Sequence, residues 1–421
     1  MLIVVCSHLH TFFVLSAMFS RLLEKMYFCM VISTRHISVA VPMLDELESV
    51  GTLLECLRRQ TFRAFTLYAC VNQPESWHGS DNLWQRQVVE NNRMTIERLS
   101  KSTDLDIVVI DRSSKGFGWT EKRKGVGWAR KVLMERIADE RGDDEIIVSL
   151  DADTRFDADY FASVVGAFDR HPFISAISVP YYHPLTGDEI IDRRLLRYEC
   201  YMRHYMINML EICSPYAFTA LGSAMAFTVA AYKKAGGITP LQGGEDFYLM
   251  QKFVKTGTVL VGGEDMEHLM VRPQGRISRR VPFGTGPAVA MNITEQKQKY
   301  PFYKKEGFEL VKDTYERFGE LYDGDVETPM TAFLKEQLKT DDLWSPLRKN
   351  FKTKDLFVRA CKEKVDGLRI LQFLRTIGGE EPLDFEKEPM ERIEELREGL
   401  AAGCRQRTSS ISVLGLNETG R

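Results

Sequence analysis

The chain has 421 residues, is 44% hydrophobic and 27% charged, and carries a formal net charge of −3. This describes a globular protein with material for one large domain or two ordinary ones, and so balanced a charge excludes bulk attraction to a nucleic-acid partner. Eight scattered cysteines, none at C-x-x-C spacing, argue against a zinc site or a disulfide framework and fit a reducing compartment.

Residues 1–19, MLIVVCSHLHTFFVLSAMF, are mostly apolar and are followed by Arg21 and Lys25. A signal-anchor helix needs about 20 apolar residues, but Ser7, His8 and His10 interrupt the run. Met26 and Met30 are alternative starts, so residues 1–35 are read as an N-terminal extension, with a membrane anchor as the alternative. No later uncharged run is long enough to span a bilayer.

HISVAVP (36–42) is a short apolar run closed by Pro42, which predicts a buried strand. Val50, Leu53, Leu54 and Leu57 then form one helical stripe. FTLYACV (65–71), LDIVVID (105–111), EIIVSLD (145–151) and FISAISV (173–179) predict further strands, with helices near 84–101 and 121–140 between them. Strands alternating with helices imply βαβ units, hence an α/β fold with a mostly parallel sheet flanked by helices. Ligands of such sheets bind beyond the carboxyl ends of the strands. Asp45, Asn72, Asp111 and Asp151 all fall at or just past those ends.

The pattern changes after residue 180. Residues 189–212 predict a long helix rich in Tyr, Met and Arg, which either lines a site or packs a helical tail; such a stripe is more often core. Residues 218–238 read as strand, helix and a Gly-Gly stop, and another helix opens on Glu245-Asp246 and ends at Gly257. From residue 291 to 404 the chain predicts a helical C-terminal region that reads as an appendage, and 405–421 a disordered tail.

Asp151 and Asp153 follow an apolar strand, and in extended backbone residues i and i+2 point the same way. Mg²⁺ and Mn²⁺ take one or two protein carboxylates and complete their shell with water and phosphate oxygens. The plainer reading is turn and helix-cap chemistry, where Asp is favoured. A Ca²⁺ loop is excluded because Phe156 stands where that loop needs Gly. A phosphatase of the haloacid-dehalogenase type fails on the early position of Thr154. The glycines at 116–118 and 125–127 lack the strand–glycine–helix order of a dinucleotide fingerprint.

The order of motifs resembles family 2 glycosyltransferases with a GT-A fold. The resemblance rests on Pro42, Asp45 and Glu46 in VAVPMLDE, Gly125, Gly127 and Arg130 in GVGWAR, and LDADT; LGSAMAF, AGGI and GGEDFYL follow. It covers residues 36–290, taken as the GT-A domain. It implies a nucleotide-diphosphate sugar donor, a Mn²⁺ or Mg²⁺ cofactor on Asp151 and Asp153, and transfer with inversion to a glycan, lipid-linked or protein hydroxyl. Asp246 is then the general base, with Glu245 beside it. Pro42, Asp45, Glu46, Asn72, Arg130 and Asp151 are expected around the donor. Arg276, Arg279 and Arg280 of GRISRRVPFGTG suit its diphosphate, although they equally suit a solvated basic loop. His268 is a candidate extra ligand, more simply structural, and Glu264-Asp265 is a decoy acidic pair.

Departures from the family pattern are Asp45 in place of Asn, and VNQPES after the second strand in place of acidic residues. The Gln-x-x-Arg-Trp motif of processive synthases is missing. A cytoplasmic site, with peripheral membrane contact for a lipid acceptor, is the expected setting. Two alternatives remain: a catalytically degenerate scaffold that binds a sugar nucleotide or partner, and a sugar-nucleotide pyrophosphorylase. The second lacks a Gly-rich loop after the first strand.

Overall fold

The computed structural model describes residues 35–262, 268–278, 284–410 and 413–415. Its centre is one sheet. β1 (Ile37–Met43), β2 (Phe65–Asn72), β3 (Ile107–Arg112) and β4 (Ile146–Ser149) lie in the spatial order β4-β1-β2-β3, all parallel. Beyond β4 come β7 (Met225–Thr228), β6 (Ala176–Ser178), β8 (Thr258–Leu260) and β10 (Val413–Gly415). β7 and β10 run antiparallel to their neighbours, so six of the eight strands share one direction. A two-stranded ribbon joins β5 (Arg155–Phe156) to β9 (Val271–Arg272).

The strands are continuously apolar because both faces are covered. Val39, Val41, Leu67, Ala69, Ile146 and Val148 enter one core, with Val50, Leu53 and Leu57 of α1 (Leu47–Arg59) and Phe161 and Val164 of α4 (Tyr160–Arg170). α2 (Leu83–Ser100) adds Leu99 to that core. The alternate residues Ala40, Tyr68, Cys70, Ile147 and Phe227 enter the other. That second core takes Leu133 and Ile137 of α3 (Val126–Glu140), Leu196 of α5 (Glu189–Glu211) and Leu249 and Phe253 of α7 (Glu245–Thr256). α6 (Val229–Lys234) follows β7 directly.

The predicted strands and helices are found, with bounds shifted by a few residues. The C-terminal region differs from its expectation in two ways. First, it is no separate appendage. α8 (Thr285–Ala290), α9 (Ile293–Lys299), α10 (Lys305–Glu316) and α11 (Pro329–Leu338) are followed by α12 (Ser345–Asn350), α13 (Lys354–Lys364), α14 (Gly367–Ile377) and α15 (Met390–Ser410). Phe302, Phe308, Trp344, Phe357, Phe373 and Ile393 from this region share the core that holds Ala40 and Ile147. Second, the stretch expected to be disordered from 405 carries the last turns of α15 and the strand β10, which pairs with β8. A helical charged sequence looks like an appendage because its buried face is only one side of each helix.

The long helix α5 is core, as its stripe suggested. Leu195, Leu196, Tyr198, Tyr201 and Met209 are buried. Its arginines are paired internally, Arg197 with Glu381 and Arg203 with Glu199 at 2.6 Å. Among the described residues no helix is long and apolar enough to cross a membrane; the apolar residues 1–19 lie outside the described part.

Candidate active site

Five predicted residues, Pro42, Glu46, Asn72, Asp151 and Asp153, converge at the carboxyl edge of the sheet, where β1, β2 and β4 end. A pocket of about 120 Å³ is lined by Pro42, Leu44, Glu46, Asn72, Val126, Asp151, Asp153 and Ser278. Asp151 and Asp153 are brought there by a turn and not by extended backbone. β4 ends at Ser149; Leu150 still donates its N–H to Ala40 O at 3.1 Å, and the Thr154 N–H closes back on the Asp151 carbonyl at 3.0 Å. Ala152, between the aspartates, is buried. Buried Ala152 anchors the turn, and both carboxylates face the pocket.

Arg130 is the centre of the charge network. It comes from α3, is buried, and donates through Nη2 to Asp151 Oδ1 at 2.6 Å and through Nη1 to Glu245 Oε1. Burial opposes its charge, but Asp151, Glu245 and Asp246 outweigh that and hold it firmly protonated. Two glycines make the arrangement sterically possible. At Gly127 a Cβ would sit 2.1 Å from Leu241 O, so only glycine lets the 239–244 segment lie against the start of α3. At Gly222, in the small-residue segment before β7, a Cβ would lie 2.2 Å from Arg130 Nη2. The GVGWAR motif thus supplies Arg130 and admits the 239–244 segment at Gly127, while Gly222 of LGSAMAF leaves room for the guanidinium.

Arg276 makes a second bridge. Its Nη2 reaches Glu46 Oε1 at 2.7 Å and Asp153 Oδ2 at 3.0 Å. Burial opposes its charge too, and Glu46 and Asp153 overcome it.

Asp246 opens α7 beside Glu245. Its Oδ1 accepts the Phe247 N–H at 2.8 Å. Desolvation, reinforced by Glu245, pushes its carboxyl up to about 7, against the opposing pull of Arg130. As a residue it retains partial exposure, while its neighbour Glu245 is buried. Glu46 and Asp153 pair with Arg276, and Asp151 and Glu245 pair with Arg130.

Not every predicted residue joins the pocket in the expected role. Asp45 sits at φ 59° and turns toward α2: its N–H donates to Asn92 Oδ1 at 3.0 Å, and its Oδ1 accepts from Asn91 Nδ2 at 2.7 Å. It ties the β1 loop to α2 and does not line the pocket. Asn72 lines the pocket, but its amide donates to Met43 O at 2.9 Å and accepts from Trp119 Nε1 at 3.1 Å. This positions strand ends and leaves little for a nucleobase edge. His268 faces Asp159 at 3.3 Å and not the aspartate pair. Arg279, Arg280 and Glu264-Asp265 lie outside the described residues. Val126, Leu44 and Ser278 line the pocket without having been singled out; being apolar or small, they carry no sequence signal.

Among the described residues no three His, Cys, Asp or Glu side chains form a ready metal cluster. Two carboxylates on one pocket wall nevertheless fit Mg²⁺ or Mn²⁺ bound together with a diphosphate, which supplies the remaining oxygens. A larger groove of about 580 Å³, between α7, α11 and α14, holds none of the predicted site residues.

No protein-family model matches the sequence, and no curated protein matches it. Solved structures do overlay on the chain. One is the mannosyltransferase PcManGT from Pyrobaculum calidifontis in complex with GDP-Man and Mn²⁺, at 12% identity over 90% of this chain and 84% of that one, with a TM-score of 0.39. Another is TarS 1-349 from S. aureus, at 13% identity over 90% of each chain and a TM-score of 0.37. A third is glucosyl-3-phosphoglycerate synthase from Mycobacterium tuberculosis in complex with UDP, at 14% identity over 57% of this chain and 70% of that one, with a TM-score of 0.32. Scores this low bear on neither family nor activity.

Proposed function

We propose that the chain is a metal-dependent glycosyltransferase of the family 2 type, which moves a sugar from a nucleotide-diphosphate sugar to a hydroxyl acceptor with inversion, at a cytoplasmic site. The observation that carries this reading is the pairing of two carboxylate sets through one buried cation. Asp151 and Asp153 stand at the pocket, Glu245 and Asp246 at the head of α7, and Arg130 bridges Asp151 to Glu245.

In this reading Asp246 accepts the proton of the acceptor hydroxyl as its oxygen bonds to the anomeric carbon. The bond from that carbon to the diphosphate oxygen breaks, and the electron pair leaves with the diphosphate. A base lifted to about 7 is well matched to that proton near neutral pH. Glu245, held by Arg130, orients the head of α7, while Arg276 offers a guanidinium to the leaving phosphate. A divalent cation, when bound, would be held by Asp151 and Asp153 and supplies Lewis-acid stabilisation of the leaving group.

The decisive experiment titrates the protein with UDP, GDP, dTDP and CMP, with and without Mn²⁺, beside an Asp153→Ala variant. One nucleotide is expected to bind only with metal and to lose its affinity in the variant. No nucleotide binding under any metal condition would sink the proposal.

A second reading has its own observation. Asp45 and Asn72, both expected around the donor, are engaged within the scaffold. A degenerate protein that binds without turnover would follow, and slow release of nucleoside diphosphate from donor alone separates the two: a transferase releases it and a pure binder does not.

A further inference from the structure

The loops that follow β2 and β3 are knitted into one unit beside the pocket. Trp119 donates to pocket residue Asn72 and exchanges backbone hydrogen bonds with both Gln73 and Glu75, at 2.8 Å each. The Glu75 carboxylate takes the N–H groups of Gly116 and Gly118, at 2.8 Å each, and so holds Phe117 out at the tip between them. Trp77, two residues beyond Glu75, packs edge-on against Trp84 with ring centroids 5.1 Å apart. Ser76 donates to Glu121 at 3.1 Å and completes the tie.

This rigid unit exposes apolar side chains. Leu83 is 75% exposed, Phe117 57% and Trp84 45%. Exposed apolar side chains on loops tied together in this way offer a binding surface. The same stretches, 74–86 and 113–124, carry Arg86, Lys115, Lys122, Arg123 and Lys124 against Glu75, Asp81 and Glu121. Five cations against three carboxylates leave a surplus of two positive charges on these stretches. The patch is thus locally cationic on a chain whose net charge is −3.

We propose that this aromatic and basic face docks the protein on an anionic membrane surface, presenting the pocket to a lipid-linked acceptor. Tryptophan and phenylalanine enter the headgroup boundary while lysine and arginine meet anionic lipid, a combination that gives reversible peripheral binding. The choice of a lipid acceptor rests on the glycosyltransferase reading; membrane docking itself does not.

The test is sedimentation of the full chain with phosphatidylcholine vesicles, with and without phosphatidylserine. Two variants run alongside, Trp84→Ser/Phe117→Ser and Lys115→Glu/Lys122→Glu, with circular dichroism as a folding control and Mn²⁺-dependent nucleotide binding as an independent readout. The expected result is binding to the phosphatidylserine vesicles that weakens with salt and falls roughly tenfold or more in either variant, nucleotide affinity being unchanged. Three results overturn docking: no partition to either vesicle, partition that survives both variants (residues 1–34 then carry it), or loss of nucleotide binding with vesicle binding intact, which assigns the patch to the donor. Failure of nucleotide binding in the parent chain sinks the transferase reading instead and leaves docking to be judged on the vesicles.

Discussion

Replacing Asp246 by asparagine is expected to stabilise the protein while removing the base of the proposed transfer. The substitution keeps the side chain's shape and removes its charge. The native carboxyl titrates at about 7 because desolvation and the Glu245 charge disfavour ionisation, whereas the same carboxyl in the unfolded chain titrates near its ordinary value of 3.8. Between those values the native state holds a proton that the unfolded state has released. This group's contribution to stability is therefore complete below about pH 4, declines as pH rises, and is lost above about pH 7. A gap of roughly three units at 1.36 kcal/mol each sets a ceiling of about 4 kcal/mol, and partial solvent access brings the expectation to about 2 kcal/mol. Urea denaturation followed by tryptophan fluorescence, at about pH 4.5 and about pH 8, measures it. The Asn variant's advantage should be small at the lower pH and grow to about 2 kcal/mol at the higher. Transfer should fall by about 10²- to 10⁴-fold, and the parent's kcat/KM should rise through about pH 7. An Asn variant no more stable than the parent at about pH 8 would refute the electrostatic argument.

Arg130→Met should cost about 3–5 kcal/mol near neutral pH, because it leaves Glu245 buried without a counter-charge. Arg130→Met/Glu245→Gln should recover much of the loss, and a double variant as unstable as the single one in urea denaturation would contradict this. Gly222→Ala should cost about 1–3 kcal/mol by driving a methyl into the Arg130 guanidinium. In the Arg130→Met background the same change should cost clearly less, and additive effects in urea denaturation would show that the two positions are not coupled.

Legibility in the sequence follows a simple division. The strands at 37–43, 65–72 and 146–149 could be read because burial on both faces forces unbroken apolar runs, which local composition reports. The convergence of Asp151, Asp153 and Glu46 could be anticipated because parallel strands deliver their carboxyl ends to one edge. What could not be read was which polar side chain turns into the pocket. Asp45 lies at a strand end as Asp151 does, yet the backbone at φ 59° and two asparagines of α2 take it away. Asn72 reads as a base contact until Trp119, 47 positions on, engages its carbonyl.

The sequence by itself determined the alternation of strands and helices, the edge of the sheet at which chemistry gathers, and the carboxylates offered there, because those properties live in local periodicity and in strand order. Only the tertiary structure decided that Arg130 bridges Asp151 to a Glu245 lying 115 residues beyond the arginine, that Gly222 leaves room for its guanidinium while Gly127 admits the 239–244 segment, and that the C-terminal helices belong to the main core. The physical reason is that the protonation state of a buried carboxylate and the partner of a buried guanidinium depend on distances and desolvation. Both arise when segments remote in sequence close on one another, and neither is written in any one of them.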